Sequence, residues 1–177
     1  MKSGGVVLYP TDTVWGLGCD ASCPEAVRRI YAIKHRADSK ALISLVGSDE
    51  ALVKCVGPLA REYHRLSAEA SGRPLTVVFP HAEGISECML ADDGSAAVRL
   101  TSELYSSALC EALGHPLVST SANVSGEPAP RFFSEISPAI MGAVDYMACY
   151  RRDDETPSEP SKVVKILPSG ETVIIRP

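Results

Sequence analysis

Apolar residues along this chain fall into short runs closed by Gly, Pro or polar clusters, and several runs are separated by stretches in which apolar positions recur every three or four residues. The first pattern predicts buried strands and the second amphipathic helices. Strands are expected at "GVVLY" (5–9), which stops at Pro10, and at "ALISLVG" (41–47), "PLTVVFP" (74–80), "AAVRL" (96–100) and "PLVS" (116–119). Pro cannot donate to a ladder, so the prolines around "LTVVF" mark its ends. Residues 11–21, rich in Thr, Asp and Gly, read as a loop. Ser22 and Glu25 have capping-box spacing, and Ala26, Ile30 and Ile33 share one face, which predicts a helix over 22–35. One or two helices are expected over 49–70, interrupted at Gly57-Pro58. Leu104, Ala108, Leu109 and Ala112 fall at helical spacing after Thr101 or Ser102 as cap, with Gly114 and Pro116 as the stop.

Further on come a short helix over 132–141, a strand at "DYMACY" (145–150), a polar loop at "RRDDETPSEPS" (151–161), and strands "KVVKIL" (162–167) and "ETVIIR" (171–176) joined by the turn signal "PSG". Strands and helices alternate for most of the length and end in a hairpin. The fold class is therefore α/β, a single domain over 1–177 with a twisted mixed β-sheet flanked by helices.

Composition narrows the classes. The 177 residues suffice for one domain with a substantial core, and 45% apolar with 22% charged residues is ordinary for a soluble globular chain. No apolar run approaches the roughly 20 residues needed to cross a bilayer, and "MKSGGVVLYP" lacks the small-residue cleavage site of a signal peptide. A cytoplasmic protein without a membrane role is expected. The six cysteines are scattered among strand and helix patterns and read as buried free thiols. No C-x-x-C or H-x-x-x-H occurs, so a structural zinc site has little support. A net charge of −5 argues against a surface that attracts nucleic acid everywhere, and any basic patch must be local.

Four stretches could carry chemistry. "PTDT" (10–13), followed by Gly16 and Gly18, offers two hydroxyls beside residues that permit close backbone approach to a ligand; a capped turn is the plainer reading. Neither a complete G-x-G-x-x-G nor a G-x-x-x-x-G-K-[ST] is present. "KHRADSK" (34–40) gathers three permanent cations and a His at a helix C-terminus. The helix dipole accounts for Lys34 and Arg36, whereas Lys40 lies beyond its reach; a polyphosphate would account for all three, and surface decoration is an equal alternative. Arg99, among Ala, Val and Leu in a strand, is costly to bury unpaired and must meet solvent, a protein carboxylate or an anionic ligand. "PLVSTSANVSGEPAP" (116–130) ends a strand on Ser119, Thr120, Ser121 and Asn123 with no activating base and no G-x-S-x-G, which suits hydrogen bonding to a polar ligand, or to the following turn, better than nucleophilic catalysis.

Taken in order, "YPTDTVWGLGCDA", "KHRADSKALI", "RPLTVVFP", "AAVRL", "PLVSTSANVSGEP", "EPSKVV" and "IIRP" resemble the landmarks of the YrdC family of threonylcarbamoyl-AMP synthases from end to end, and K-x-R together with S-T-S-A-N is the specific combination. The resemblance implies that L-threonine and bicarbonate form a carbamate whose oxygen attacks the α-phosphorus of ATP, releasing pyrophosphate. The product would feed threonylcarbamoyladenosine modification of tRNA through a partner threonylcarbamoyl transferase complex. By the same resemblance Lys34 and Arg36 would be catalytic and, with Lys40, hold the phosphates. Ser95, Ser121, Asn123, Ser161 and Arg176 would complete the ATP site, and Thr11, Arg99 and Ser119 would bind threonine, Arg99 at its carboxylate. Magnesium is expected to accompany ATP; its ligands are not assigned. The family usually carries a helix before the first strand, where only "MKSGG" stands here, so the start is either truncated or assigned late. The stop straight after the Arg176 landmark is that of the short, bacterial-type form.

Two rivals differ in kind. One is an RNA- or tRNA-binding module of the same fold without adenylation: the acidic charge, one Trp and three Phe weigh against it, while six Tyr keep weak RNA binding open. The other is a carbamoyl-adenylating domain of hydrogenase maturation, whose accessory zinc-finger and acylphosphatase-like segments are missing from this sequence.

Overall fold

The strands assemble into one sheet because most of them are apolar on both faces and too short to stand alone. A computed structural model describes residues 1–35 and 42–177. Among the described residues the order of elements is β1 (Val7–Tyr9), β2 (Gly16–Gly18), α1 (Pro24–Ile33), β3 (Ile43–Val46), α2 (Asp49–Val56), α3 (Ala60–Glu69), β4 (Leu75–Phe79), β5 (Ala96–Leu100), α4 (Leu104–Leu113), β6 (Leu117–Ser121), α5 (Pro138–Ala143), β7 (Tyr146–Met147), β8 (Lys162–Ile166) and β9 (Thr172–Arg176). The sheet runs β7-β1-β2-β6-β3-β5-β4-β8-β9. Pairs β1–β7, β3–β5 and β4–β8 are parallel and the others antiparallel, as a mixed α/β sheet requires.

Two apolar clusters hold the layers together. One packs Leu8, Trp15, Leu17, Ile30 and Leu117 around α1 and the β1/β2/β6 side. The other packs Leu52, Tyr63, Phe79, Val98 and Val164 around α2, α3 and the β4/β5/β8 side. Ile85 touches both, so the expected core is divided along the middle of the sheet.

Several local expectations are corrected. The stretch read as a loop contains β2, hydrogen-bonded between β1 and β6. Its Gly18 is there for close approach: a Cβ would lie 2.5 Å from Cε1 of Tyr9 and 2.6 Å from the Val118 carbonyl. The capping box is not formed. Helix α1 starts on Pro24 at its first turn, Cys23 caps without a side-chain bond, and the Ser22 hydroxyl donates to Asp20 at 2.6 Å. Helix α4 is capped by neither Thr101 nor Ser102: the Glu103 carboxylate accepts from the Ser106 amide at 2.7 Å. The helix expected over 132–141 is a 3₁₀ turn at Phe133–Glu135 followed by α5, whose Pro138 and Ser137 cap reset the start. Pairing in "DYMACY" is confined to Tyr146–Met147 at the sheet edge.

Candidate active site

A cavity of about 300 Å³ opens where β2, β3, β5 and β6 meet. Its wall combines Thr11, Thr13 and Val14 from the β1–β2 loop, Gly16 from β2, and Leu42 and Ile43 at the start of β3. Arg99 of β5, Ser119, Thr120 and Ser121 of β6, Ala129, Pro160 and Ser161 ahead of β8, and Arg176 of β9 complete it. Register explains the convergence: Gly16 lies opposite Ser121, and Ile43 opposite Ser119. The strand ends on small hydroxyls because its last three residues form a cavity wall. A second, more apolar cavity of about 210 Å³ lies at the opposite ends of β3 and β6, beside Val46 and Pro116, and carries none of the expected site residues.

Arg99 is 3% exposed and pairs with Asp12, Nη2 to Oδ1 at 3.0 Å. Its Nη1 reaches the Thr13 hydroxyl only at 3.5 Å, and its Nε has no hydrogen-bond partner among the described residues. A buried donor left unmade costs about 1–3 kcal/mol, so this guanidinium is short of an acceptor. Burial pushes the Asp12 carboxyl above the usual carboxylate range, with Arg99 opposing that rise. Beside them Arg176 donates from Nε to the Ser161 carbonyl at 2.9 Å and from Nη2 to the Ser161 hydroxyl at 3.1 Å. Burial, then Arg99 and Arg73, pull the Arg176 guanidinium below its ordinary range. Two guanidinium groups therefore share one cavity, an arrangement that favours an anionic occupant. Ser161 is itself buried, its hydroxyl 2.8 Å from that of Thr76.

Lys34 caps α1 and is 2% exposed, its ammonium donating to the carbonyls of Ser121 at 2.5 Å and Asn123 at 2.7 Å. The structure thus brings Lys34, Ser121 and Asn123 together, with the lysine on the backbone of the S-T-S-A-N segment. The Asn123 amide donates to the carbonyls of Val124 at 3.0 Å and Glu127 at 2.7 Å, while its Oδ1 is buried without a partner among the described residues. Ser95 does not line the cavity: its hydroxyl donates to Asp93 at 2.5 Å in the turn before β5. Arg36 and Lys40 lie outside the described residues.

Three participants were missed as site residues. Asp12 pairs with Arg99, whereas Thr120, singled out with its neighbours in the sequence, does join the wall. Arg151 and Ser158 strap the 151–161 loop onto the β1–β2 loop: Nη1 of Arg151 donates to the Thr11 carbonyl at 3.3 Å, and the Ser158 hydroxyl donates to the Thr13 carbonyl. Asp12 had a legible signal, since a buried Arg in "AAVRL" calls for a carboxylate and "PTDT" holds one among hydroxyls. The strap had none, because its contacts span more than a hundred residues of sequence.

An open α/β sheet with a cationic, hydroxyl-lined cavity at its strand ends is the form of a nucleotide- or acid-binding enzyme. The chain belongs to the Sua5/YciO/YrdC family, described as "Telomere recombination", which it matches over residues 1–177. It is 36% identical over 147 residues to a threonylcarbamoyl-AMP synthase of Xanthomonas campestris pv. campestris (strain B100), covering 82% of this chain and 79% of the relative. A threonylcarbamoyl-AMP synthase of Halorhodospira halophila is 36% identical over 136 residues, covering 77% and 71%. The P. abyssi Sua5 crystal structure complexed with L-threonine superposes with a TM-score of 0.83 at 28% identity, covering 99% of this chain and 51% of that one. The chain thus spans about half the length of that Sua5. E. coli YciO, at TM-score 0.79 and 24% identity, supports the fold alone.

Proposed function

We infer that this chain is an L-threonylcarbamoyladenylate synthase, a transferase that uses ATP to make an AMP-linked product. The threonine amine and bicarbonate combine into a carbamate with loss of water. A carbamate oxygen then bonds to the α-phosphorus of ATP as the bond to pyrophosphate breaks. The observation that carries the reading is Arg99, buried in the cavity wall with an unmet Nε donor beside three β6 hydroxyls. A threonine carboxylate would meet that donor, with Thr11 and Ser119 at the rest of the amino acid. Such a reaction needs positioning and charge stabilisation more than a side-chain nucleophile.

In this assignment Lys34, Arg36 and Lys40 neutralise the triphosphate, Lys34 exchanging a backbone carbonyl for a phosphate oxygen. Ser121, Ser161 and Arg176 bind along the nucleotide, and the unmet Oδ1 of Asn123 accepts from it. Ser95 would join only by giving up Asp93. Magnesium is held in comparable sites largely by phosphates and water. The described residues hold no cluster of three or more His, Cys, Asp or Glu that could hold a metal ion. The product passes to a tRNA-modifying transferase complex in the cytoplasm. No helix among the described residues is long and apolar enough to cross a membrane. The RNA-binding alternative is not favoured, since the named relatives are synthases.

The test is pyrophosphate release from ATP and bicarbonate with L-threonine, L-serine or no amino acid. Release requiring both threonine and bicarbonate is expected. A folded sample that binds RNA without threonine-dependent release would overturn the assignment.

A further inference from the structure

We propose that Asp12 is a positioning residue that sets the Arg99 guanidinium for the substrate carboxylate and is itself held by the 151–161 strap; this rests on the synthase reading above. An arginine has five N–H donors in a rigid fork, so an anion fixed at one end decides which donors remain for a ligand. Asp12 takes Nη2 and leaves Nε and the loosely held Nη1. Its Oδ1 accepts no aligned hydrogen bond, so charge more than hydrogen-bond direction holds the pair. Asp12 is not part of the cavity wall, and it acts through Arg99.

The carboxylate has little freedom. The Thr11 hydroxyl donates to the Val14 carbonyl at 2.7 Å and accepts from the Thr13 amide at 3.0 Å, closing a small knot around Asp12. The carbonyls on either side of Asp12 are both engaged by the strap, Thr11 by Arg151 and Thr13 by Ser158. Arg151 is fixed in turn by Asp154 at 2.8 Å and faces Glu103 at 3.7 Å. A line of contacts thus runs from the strap through Asp12 to the donors left on Arg99.

The groups that face Asp12 electrostatically are Arg99 on β5, Glu103 at the head of α4, Tyr9 on β1 and Tyr63 on α3. Burial pushes both tyrosines up, so they stay neutral near pH 7. Burial and Glu103 raise the Asp12 carboxyl while Arg99 lowers it, with a net rise. Ionised Asp12 holds Arg99 at high pH and loses it as pH falls through this raised value. Threonine affinity therefore weakens on the acid side at a higher pH than an ordinary carboxylate would dictate.

The test is made on the full chain, with L-threonine affinity from calorimetry and both KM values from pyrophosphate release. Asp12→Asn is expected to raise the threonine Kd and KM by roughly 10- to 100-fold, as misplacement of a substrate-orienting group does, with the ATP KM unchanged. The acid limb of the threonine profile disappears in Asp12→Asn, and Asp12→Glu restores part of the affinity. Threonine and ATP constants that worsen together, or an acid limb that survives in Asp12→Asn, overturn the proposal. If Asp12→Asn does not fold, Arg151→Ala decides: it frees the Thr11 carbonyl without touching the ion pair and must raise the threonine KM alone. A wild-type chain that neither binds threonine nor releases pyrophosphate overturns the synthase reading and this proposal with it. An active wild type with an unaffected Asp12→Asn overturns only the proposal.

Discussion

The two halves of the site are built differently. Around Arg99 the cations are already paired or bonded by tertiary contacts, Arg99 to Asp12 and Arg176 to Ser161, and a specific donor is left unmet. Around Lys34 the ammonium rests on the carbonyls of Ser121 and Asn123, one of which the proposed function exchanges for a phosphate oxygen. Under the proposed function, one half is organised ahead of its ligand, and the other exchanges partners to receive it. Preorganised donors cost little at binding, whereas exchanged ones trade one bond for another and add mainly charge.

Substitutions can separate these halves. Arg99→Ala is expected to have the largest effect, because it removes the proposed carboxylate partner and strands the Asp12 charge, and breaking a buried pair this way costs about 3–5 kcal/mol. Threonine-dependent pyrophosphate release is expected to vanish, and circular dichroism tells loss of the site from loss of the fold. Lys34→Ala is expected to lower release by roughly 100-fold while threonine binding by calorimetry stays near wild type, the magnitude being that of a charge-stabilising group. Equal damage to threonine binding would mean that the two halves are one unit.

Gly18→Ala tests the frame shared by both halves. Its Cβ meets the Val118 carbonyl at 2.6 Å, so it is expected to destabilise the fold by about 1–3 kcal/mol through overpacking, read as a lowered thermal midpoint. Asn123→Ala removes one unmet acceptor and two donors to local carbonyls and is expected to be mildest. A rise in the ATP KM of a few fold, near the worth of about 1 kcal/mol for one hydrogen bond, is predicted. An unchanged ATP KM would remove Asn123 from the nucleotide half.

Legibility followed the range of the interactions. Strands β4, β5 and β6 and helices α1 to α4 were readable because hydrophobic period, Gly and Pro act within a few residues. β2 was not, because its glycines look like turn residues until Tyr9 and Val118 are seen pressing on either side. Arg99 stood out as a charge in apolar company, and Ser119 and Ser121 as hydroxyls closing an apolar strand. Asp12 passed for a turn residue, although Arg99 required such a partner somewhere.

The sequence by itself determined the α/β class, most of the elements and, through the order of its motifs, the family. Those are properties of local period and of residue types at given positions. Only the tertiary structure decided that Asp12 faces Arg99 across 86 intervening residues, that Lys34 lies on the backbone of β6, and that residues 151–161 strap the β1–β2 loop. Such pairings depend on sheet order and register, which come from the joint burial of distant strands and leave no periodic trace along the chain.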